Sequence, residues 1–247
     1  EDILKALEDS SLQEEFVDTS VRRILELIVV SPRFKGYPYS NKPDLEVHAQ
    51  VTRQAGAEGM VLLKNSESLL PLAENVRKVA AFGNTSYAFI AGGTGSGDVN
   101  EAYTVSLVEG LENAGFELHQ DLKKEYLDYR GKEIEKREKT RSRDMLSAFM
   151  PKKPLEEYLP SEKMIRRMAR ENDIAFITIG RNSGEFLDRR LEDDFLLTLA
   201  EKEMLGKVSE IFHQEGKKVV VILNIGGVIE TSLWKDLPDA ILLAWQG

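Results

Sequence analysis

The feature that most constrains the fold is an alternation running through most of the chain: short, nearly continuous apolar runs separated by segments with helical spacing. The runs are Gly59-Met-Val-Leu-Leu-Lys64, Arg77-Lys-Val-Ala-Ala-Phe-Gly83, Asp173-Ile-Ala-Phe-Ile-Thr-Ile-Gly180, Lys217-Lys-Val-Val-Val-Ile-Leu-Asn224 and Asp239-Ala-Ile-Leu-Leu-Ala-Trp245. Helices are expected over about Asp44 to Glu58, Val105 to Ala114 and Phe195 to His213. Strands with no polar alternation are buried on both faces, and a mostly parallel sheet flanked by helices provides that burial. The fold class expected is therefore α/β, a layered sandwich occupying residues 44–247.

Residues 1–30 read differently. Ser11-Leu-Gln-Glu14 has the form of a capping box, and Phe16, Val17, Val21, Ile24, Leu25 and Ile28 recur at helical spacing. Residues 31–43 hold two prolines and a glycine in Ser31-Pro-Arg-Phe-Lys-Gly-Tyr-Pro-Tyr-Ser40, with no period, and read as an interdomain linker.

Composition removes several functions. The 247 residues carry 33 Lys+Arg against 42 Asp+Glu, a net charge of -9, no cysteine and three histidines. Disulfides, thiolate nucleophiles and Cys-ligated zinc are excluded. The widely spaced His48, His119 and His213 give poor support to a metal centre or a Ser-His-Asp triad, so no metal or other cofactor is expected. An acidic chain is a poor nucleic-acid binder. No apolar run approaches the roughly 20 residues of a membrane span, and Glu1-Asp2-Ile3-Leu4-Lys5 lacks a signal-peptide layout, so the chain reads as soluble. Charge is uneven: Asp121 to Glu171 holds 15 basic and 11 acidic residues, and prolines 151, 154 and 160 interrupt it. Residues 121–160 read as a charged, solvated excursion or lid.

Two loops follow the carboxyl ends of expected strands, the edge where open α/β sheets bind ligands, and they are expected to meet. The first contains Gly92-Gly-Thr-Gly-Ser-Gly97. Its glycines begin about nine residues after Gly83, too late for a dinucleotide turn, and no Gly-Lys-Ser/Thr follows. Three readings stay open: a nucleotide loop, a surface loop, or a loop whose backbone and Ser96 hydroxyl approach a polyhydroxylated ligand. The second, Ser183-Gly-Glu-Phe-Leu-Asp-Arg189, is either a solvated ion-pair cluster or a flexible arm that presents Glu185 as a general acid. On the latter reading Asp188 and Arg189 anchor the loop. Glu192-Asp193-Asp194 reads as acids near the start of the next helix.

In order, Val61-Leu-Leu-Lys-Asn65, Leu69-Leu-Pro-Leu72, the Gly-rich run, Ser183-Gly-Glu-x-x-Asp-Arg189, Val219-Val-Val-Ile-Leu-Asn-Ile-Gly226 and Ala240-Ile-Leu-Leu-Ala-Trp-Gln-Gly247 resemble glycoside hydrolase family 3, on the side of bacterial β-glucosidases. Asp18-Thr-Ser-Val-Arg-Arg-Ile-Leu25 resembles the last helix of that family's (β/α)8-type catalytic barrel. The resemblance implies that residues 1–30 are the tail of a barrel otherwise absent from this chain. It also implies that Glu185 is the acid/base, that Ser96 touches the sugar, and that Gly95, Gly97, Asp188 and Arg189 support the site loops. The nucleophilic aspartate would lie in the barrel. Where the family often has Gly and then an aromatic after the glutamate, this chain has Phe186-Leu187.

The implied activity is retaining release of terminal β-D-glucose from β-glucosides and oligosaccharides. The implied partners are that substrate and the barrel, with no nucleic acid and no membrane. The chain is expected to be a piece of the enzyme and inactive alone. A non-catalytic carbohydrate-binding or interaction module with the same fold is the alternative. Sugar, compartment and oligomeric state stay open.

Overall fold

The computed structural model describes residues 2–94, 97, 100–140, 154–183 and 188–246. The chain divides into two compact units, Glu1–Val51 and Thr52–Gly247. In the first, helices α1 (Asp2–Glu8) and α2 (Glu14–Val30) bury no residue, and α2 leaves Phe16, Val21, Ile24, Leu25 and Ile28 exposed. The capping box expected at Ser11 does not form. Gln13 is the N-cap, which puts Glu14 at the first helical position, and the Ser11 hydroxyl instead donates to Ala6 O at the end of α1 (3.3 Å). Helix α3 (Leu45–Gly59) follows the turn at 31–36 and the extended segment after it.

Among its described residues the second unit is built on six strands: β1 (Val61–Asn65), β2 (Lys78–Phe82), β3 (Glu117–Leu118), β4 (Ile174–Arg181), β5 (Lys218–Ile225) and β6 (Ala240–Leu243). Their order is β1-β6-β5-β4-β2-β3. Every neighbouring pair is parallel except β1 with β6, which runs antiparallel and shifts register between Leu62 and Lys64. The result is the mostly parallel, helix-flanked α/β sandwich that the apolar runs imply.

Alternate residues of each central strand enter different layers. Ala80, Phe82, Ala175, Ile177, Ile179, Val219, Val221 and Leu223 pack with α5 (Gln120–Thr140), α6 (Glu162–Glu171) and α7 (Leu199–Gln214). Val79, Ala81, Ile174, Phe176, Val220 and Ile222 pack against Val108 and Leu111 of α4 (Leu107–Asn113) and the Leu69–Leu72 segment. Burial of both faces is why the runs read as continuous: no position of a central strand is free to be polar without finding a partner.

Two expectations are corrected. Much of the charged stretch at 121–160 is not a solvated excursion: α5 spans Gln120–Thr140, and its Leu122 and Tyr126 are fully buried. Two core side chains one turn apart, Leu122 and Tyr126, are enough to dock a helix whose other faces are charged. Residues 141–153 of that stretch lie outside the described residues. Helix α7 also begins later than Phe195, because Thr198 and Glu201 form the capping box that starts it. The acids 192–194 lie in a separate turn, Leu191–Phe195. Among the described residues no helix is long and apolar enough to cross a membrane.

Candidate active site

The carboxyl edge of β2, β4, β5 and β6 carries loops that close on one another. The first leaves β2 at Gly83, whose φ is +92° and where a Cβ would lie 2.3 Å from Thr178 O, so only glycine fits. The following turn is fastened to the neighbouring strand: the Ser86 hydroxyl lies 2.6 Å from Phe82 O and 2.7 Å from Thr178 Oγ1. The loop then crosses the end of β5. There the fully buried Asn224 accepts from Ile90 N–H (2.6 Å) and donates both to Ile90 O (3.1 Å) and to Trp245 O (2.8 Å). One side-chain amide thus pairs with Ile90 as a strand would and also holds the segment after β6.

The Gly-rich turn next meets the loop after β4. Gly93 N–H donates to Gly97 O (3.0 Å), and Thr94 N–H donates to Ser183 O (3.2 Å), so the two loops do meet. A Cβ on Gly93 would lie 2.7 Å from Ser183 O, and one on Gly92 would lie 2.9 Å from Gly97 O. The glycines at 92 and 93 are needed because backbones approach each other there. Ser183 is held on two further sides: its N–H donates to Gln246 Oε1 (2.9 Å), and its hydroxyl donates to Gly226 O (2.8 Å).

The chain is also tied down at Arg189 and Arg190. The Arg189 guanidinium pairs with Asp194 and packs over Gly227, and Arg190 N–H donates to the other Asp194 oxygen (3.0 Å). The carboxylate that grips Arg189 is therefore Asp194, whereas the neighbouring Asp188 is exposed. Beneath this turn lies a buried ion pair. Arg181, ending β4, makes a bidentate contact with Glu201 (2.6 and 2.7 Å) and also donates to Asp194 O (2.7 Å) and Gly180 O (2.7 Å). Glu201 at the same time accepts from Thr198 N–H (2.8 Å). Strand end, loop base and helix start share one charge-assisted network.

Of the residues singled out from sequence, Gly97, Asp188 and Arg189 are placed at this edge, while Glu185, Ser96 and Gly95 lie outside the described residues. The structure adds Asn224, Gln246, Arg181, Glu201 and Asp194. For Asn224 and Arg181 the sequence signal is a polar residue near the end of an apolar strand, as in Val219-Val-Val-Ile-Leu-Asn224 and Ile174-Ala-Phe-Ile-Thr-Ile-Gly-Arg181. Among the described residues no group of three or more His, Asp or Glu side chains is arranged to hold a metal ion.

The sequence profile of the glycosyl hydrolase family 3 C-terminal domain matches residues 60–247, the stretch that supplies all six strands and every loop of this edge. The chain belongs to that family. It is similar to the solved β-glucosidase 3B of Thermotoga neapolitana in complex with glucose, at 46% identity and a TM-score of 0.83, covering 100% of this chain and 33% of that one. It is 33% identical over 227 residues to β-glucosidase A of Butyrivibrio fibrisolvens, covering 81% of this chain and 25% of the relative. With a β-glucosidase of Ruminococcus albus it shares 32% over 210 residues, 83% of this chain and 21% of that protein. The family 3 chain described here thus spans between about a fifth and a third of the length of these relatives.

Proposed function

We propose that this chain is the acid/base-bearing part of a retaining β-glucosidase, completed by a catalytic barrel to which residues 1–30 contribute the last helix and residues 31–43 the linker. Protonated Glu185 gives its proton to the departing glycosidic oxygen while a barrel aspartate attacks the anomeric carbon. Glu185, now a base, then takes a proton from the water that hydrolyses the glycosyl-enzyme. That chemistry needs a second carboxyl group about 5 to 5.5 Å away, and this chain offers none resembling the family's nucleophile. Ser96 contacts the sugar nearest the scissile bond.

The observation that carries the reading is the way Ser183 and Arg189 are fixed on either side of the segment containing Glu185. Ser183 is held by Thr94, Gln246 and Gly226, and Arg189 by Asp194. A segment fastened at both ends confines the acid it carries to one neighbourhood.

With this chain joined to its barrel, Glu185→Ala should slow hydrolysis of unactivated glucosides by roughly 10²- to 10⁴-fold. Aryl glucosides with good leaving groups should suffer much less, and azide should restore turnover. Equal loss on both substrate classes would remove Glu185 as the acid. Alone, the chain should not hydrolyse aryl β-glucosides. Turnover by the chain alone that Glu185→Gln abolishes would refute the need for a barrel.

A further inference from the structure

The stretch that reads as a charged excursion ends in a carboxyl group that the proposed chemistry does not use. Glu157 is half-buried, and its Oε1 accepts two backbone N–H groups, from Asn84 (2.9 Å) and from Tyr158 (2.9 Å). Asn84 is the first residue of the Gly-rich loop after Gly83, and segment 156–158 grips it repeatedly. Its side-chain amide donates to Glu156 O (2.8 Å), and its carbonyl accepts from Arg130 Nη1 (3.1 Å). Helix α5 holds that segment in turn: Tyr129 OH donates to Glu156 O (2.8 Å), Tyr158 OH donates to Glu125 (3.0 Å), and the Tyr126 and Tyr129 rings lie 5.1 and 4.9 Å from the Tyr158 ring. Gly83 N–H donates to Tyr126 OH (2.9 Å).

The charges around Glu157 favour its neutral form. From α7 it faces Glu201, whose own carboxylate is engaged by Arg181 of β4; from α5 it faces Arg130, Tyr126 and Tyr129. Burial is the largest influence and pushes the carboxyl up, Glu201 pushes it further, and the two N–H donors and Arg130 oppose them, leaving it at about 8. The cluster is also one donor short, since Asn84 Oδ1 is buried with no hydrogen-bond partner. A proton on Glu157 adds a donor there; a carboxylate adds another acceptor facing Glu201.

We infer that Glu157 is a positioning residue, a proton-operated brace that α5 holds against the root of the Gly-rich loop, closed while its carboxyl is neutral and released toward water when it ionises. The consequence for sugar contact rests on the reading of Ser96 given above. The brace itself does not, because it is defined by contacts within this chain.

The two can be tested apart by hydrogen exchange on this chain without substrate. Because Glu157 binds its proton more tightly when the brace is closed, opening becomes easier as pH rises from the ordinary carboxyl value of 4.5 toward about 8 and levels off above it. The opening constant read at the Asn84 and Tyr158 amides should rise by up to about tenfold per pH unit within that window. Glu157→Gln, which keeps an acceptor for both N–H groups and cannot ionise, should remove the pH dependence while preserving protection. A carbon-detected titration of the Glu157 carboxyl in the unmodified chain gives an independent reading and should place its midpoint well above the ordinary range. Equal pH dependence in the chain and in Glu157→Gln, or a midpoint near 4.5, would overturn the inference.

Discussion

The two edges of the sheet solve different problems with different chemistry. At the carboxyl edge the fastening groups are buried or half-buried, and most are neutral: Asn224 on Ile90 and Trp245, Gln246 on Ser183, Ser86 on Thr178, with Arg181–Glu201 as a sequestered ion pair and Arg189–Asp194 as a half-buried one. At the amino edge they are charged and closer to water. Asp239 gathers His213 (2.8 Å), Lys218 (3.1 Å) and Val219 N–H (2.9 Å), Asp173 accepts from the N–H groups of Arg77 and Lys78, and Lys218 reaches Glu67. Amides and hydroxyls have few partners and fixed directions, so they set loops in one arrangement. Exposed ion pairs tolerate many geometries and add little stability each. The edge that carries the two meeting loops uses mainly the first kind, and the opposite edge uses the second.

That contrast predicts a ranking. The largest loss should follow Arg181→Met, which leaves Glu201 buried without its counter-ion and frees the turn at Leu191–Phe195. About 3 to 5 kcal/mol is expected, read by chemical denaturation. A loss below about 1 kcal/mol would show that water reaches Glu201 and that this edge is no drier than the other. Next comes Asn224→Leu, similar in bulk but unable to pair with Ile90 N–H, Ile90 O or Trp245 O. A cost of about 2 to 3 kcal/mol is expected, together with lost exchange protection at Ile90. Unchanged protection at Ile90 would mean that the loop is held by its other contacts and that Asn224 is not its clamp.

The same contrast explains what the sequence revealed. Central strands were legible because burial on both faces leaves runs such as Val219-Val-Val-Ile-Leu uninterrupted. Helix α5 was not, since its docking depends on Leu122 and Tyr126 among charged neighbours, and a charge-rich segment with two apolar anchors has the composition of a solvated one. The meeting of the two site loops followed from the carboxyl-edge rule. Their clamps did not, because the contact between Asn224 and Ile90 joins residues 134 positions apart, and nothing local to either one announces the other. Glu185 and Ser96 were legible only through an ordered set of motifs resembling a family. Chemistry alone left a solvated ion-pair loop open for the one, and a surface or nucleotide loop open for the other.

The smallest effect belongs to the amino edge, and its sign separates the edges most clearly. Burial raises the Asp239 carboxyl, but His213, Val219 N–H and Lys218 together outweigh it and hold the group below its ordinary 3.8. A lowered carboxyl contributes stability above its unfolded value and loses it as pH falls through the folded one; Glu157, raised, loses its contribution as pH climbs toward about 8. Asp239→Asn should therefore cost less than about 1 kcal/mol at neutral pH, since the amide oxygen still accepts from Val219 N–H and its partners His213 and Lys218 reach water. The difference from the unmodified chain should shrink on acidification below the ordinary 3.8, as the carboxyl is neutralised first in the unfolded and then in the folded state. Glu157→Gln should leave that acid limb unchanged and flatten only the decline between 4.5 and about 8. Thermal unfolding of both variants and their double mutant across pH checks this. Additive effects at every pH mean that the edges titrate independently. If Asp239→Asn also altered the decline toward alkaline pH, the two edges would be coupled through the sheet, and the division between a neutral clamping edge and an ionic closing edge would fail.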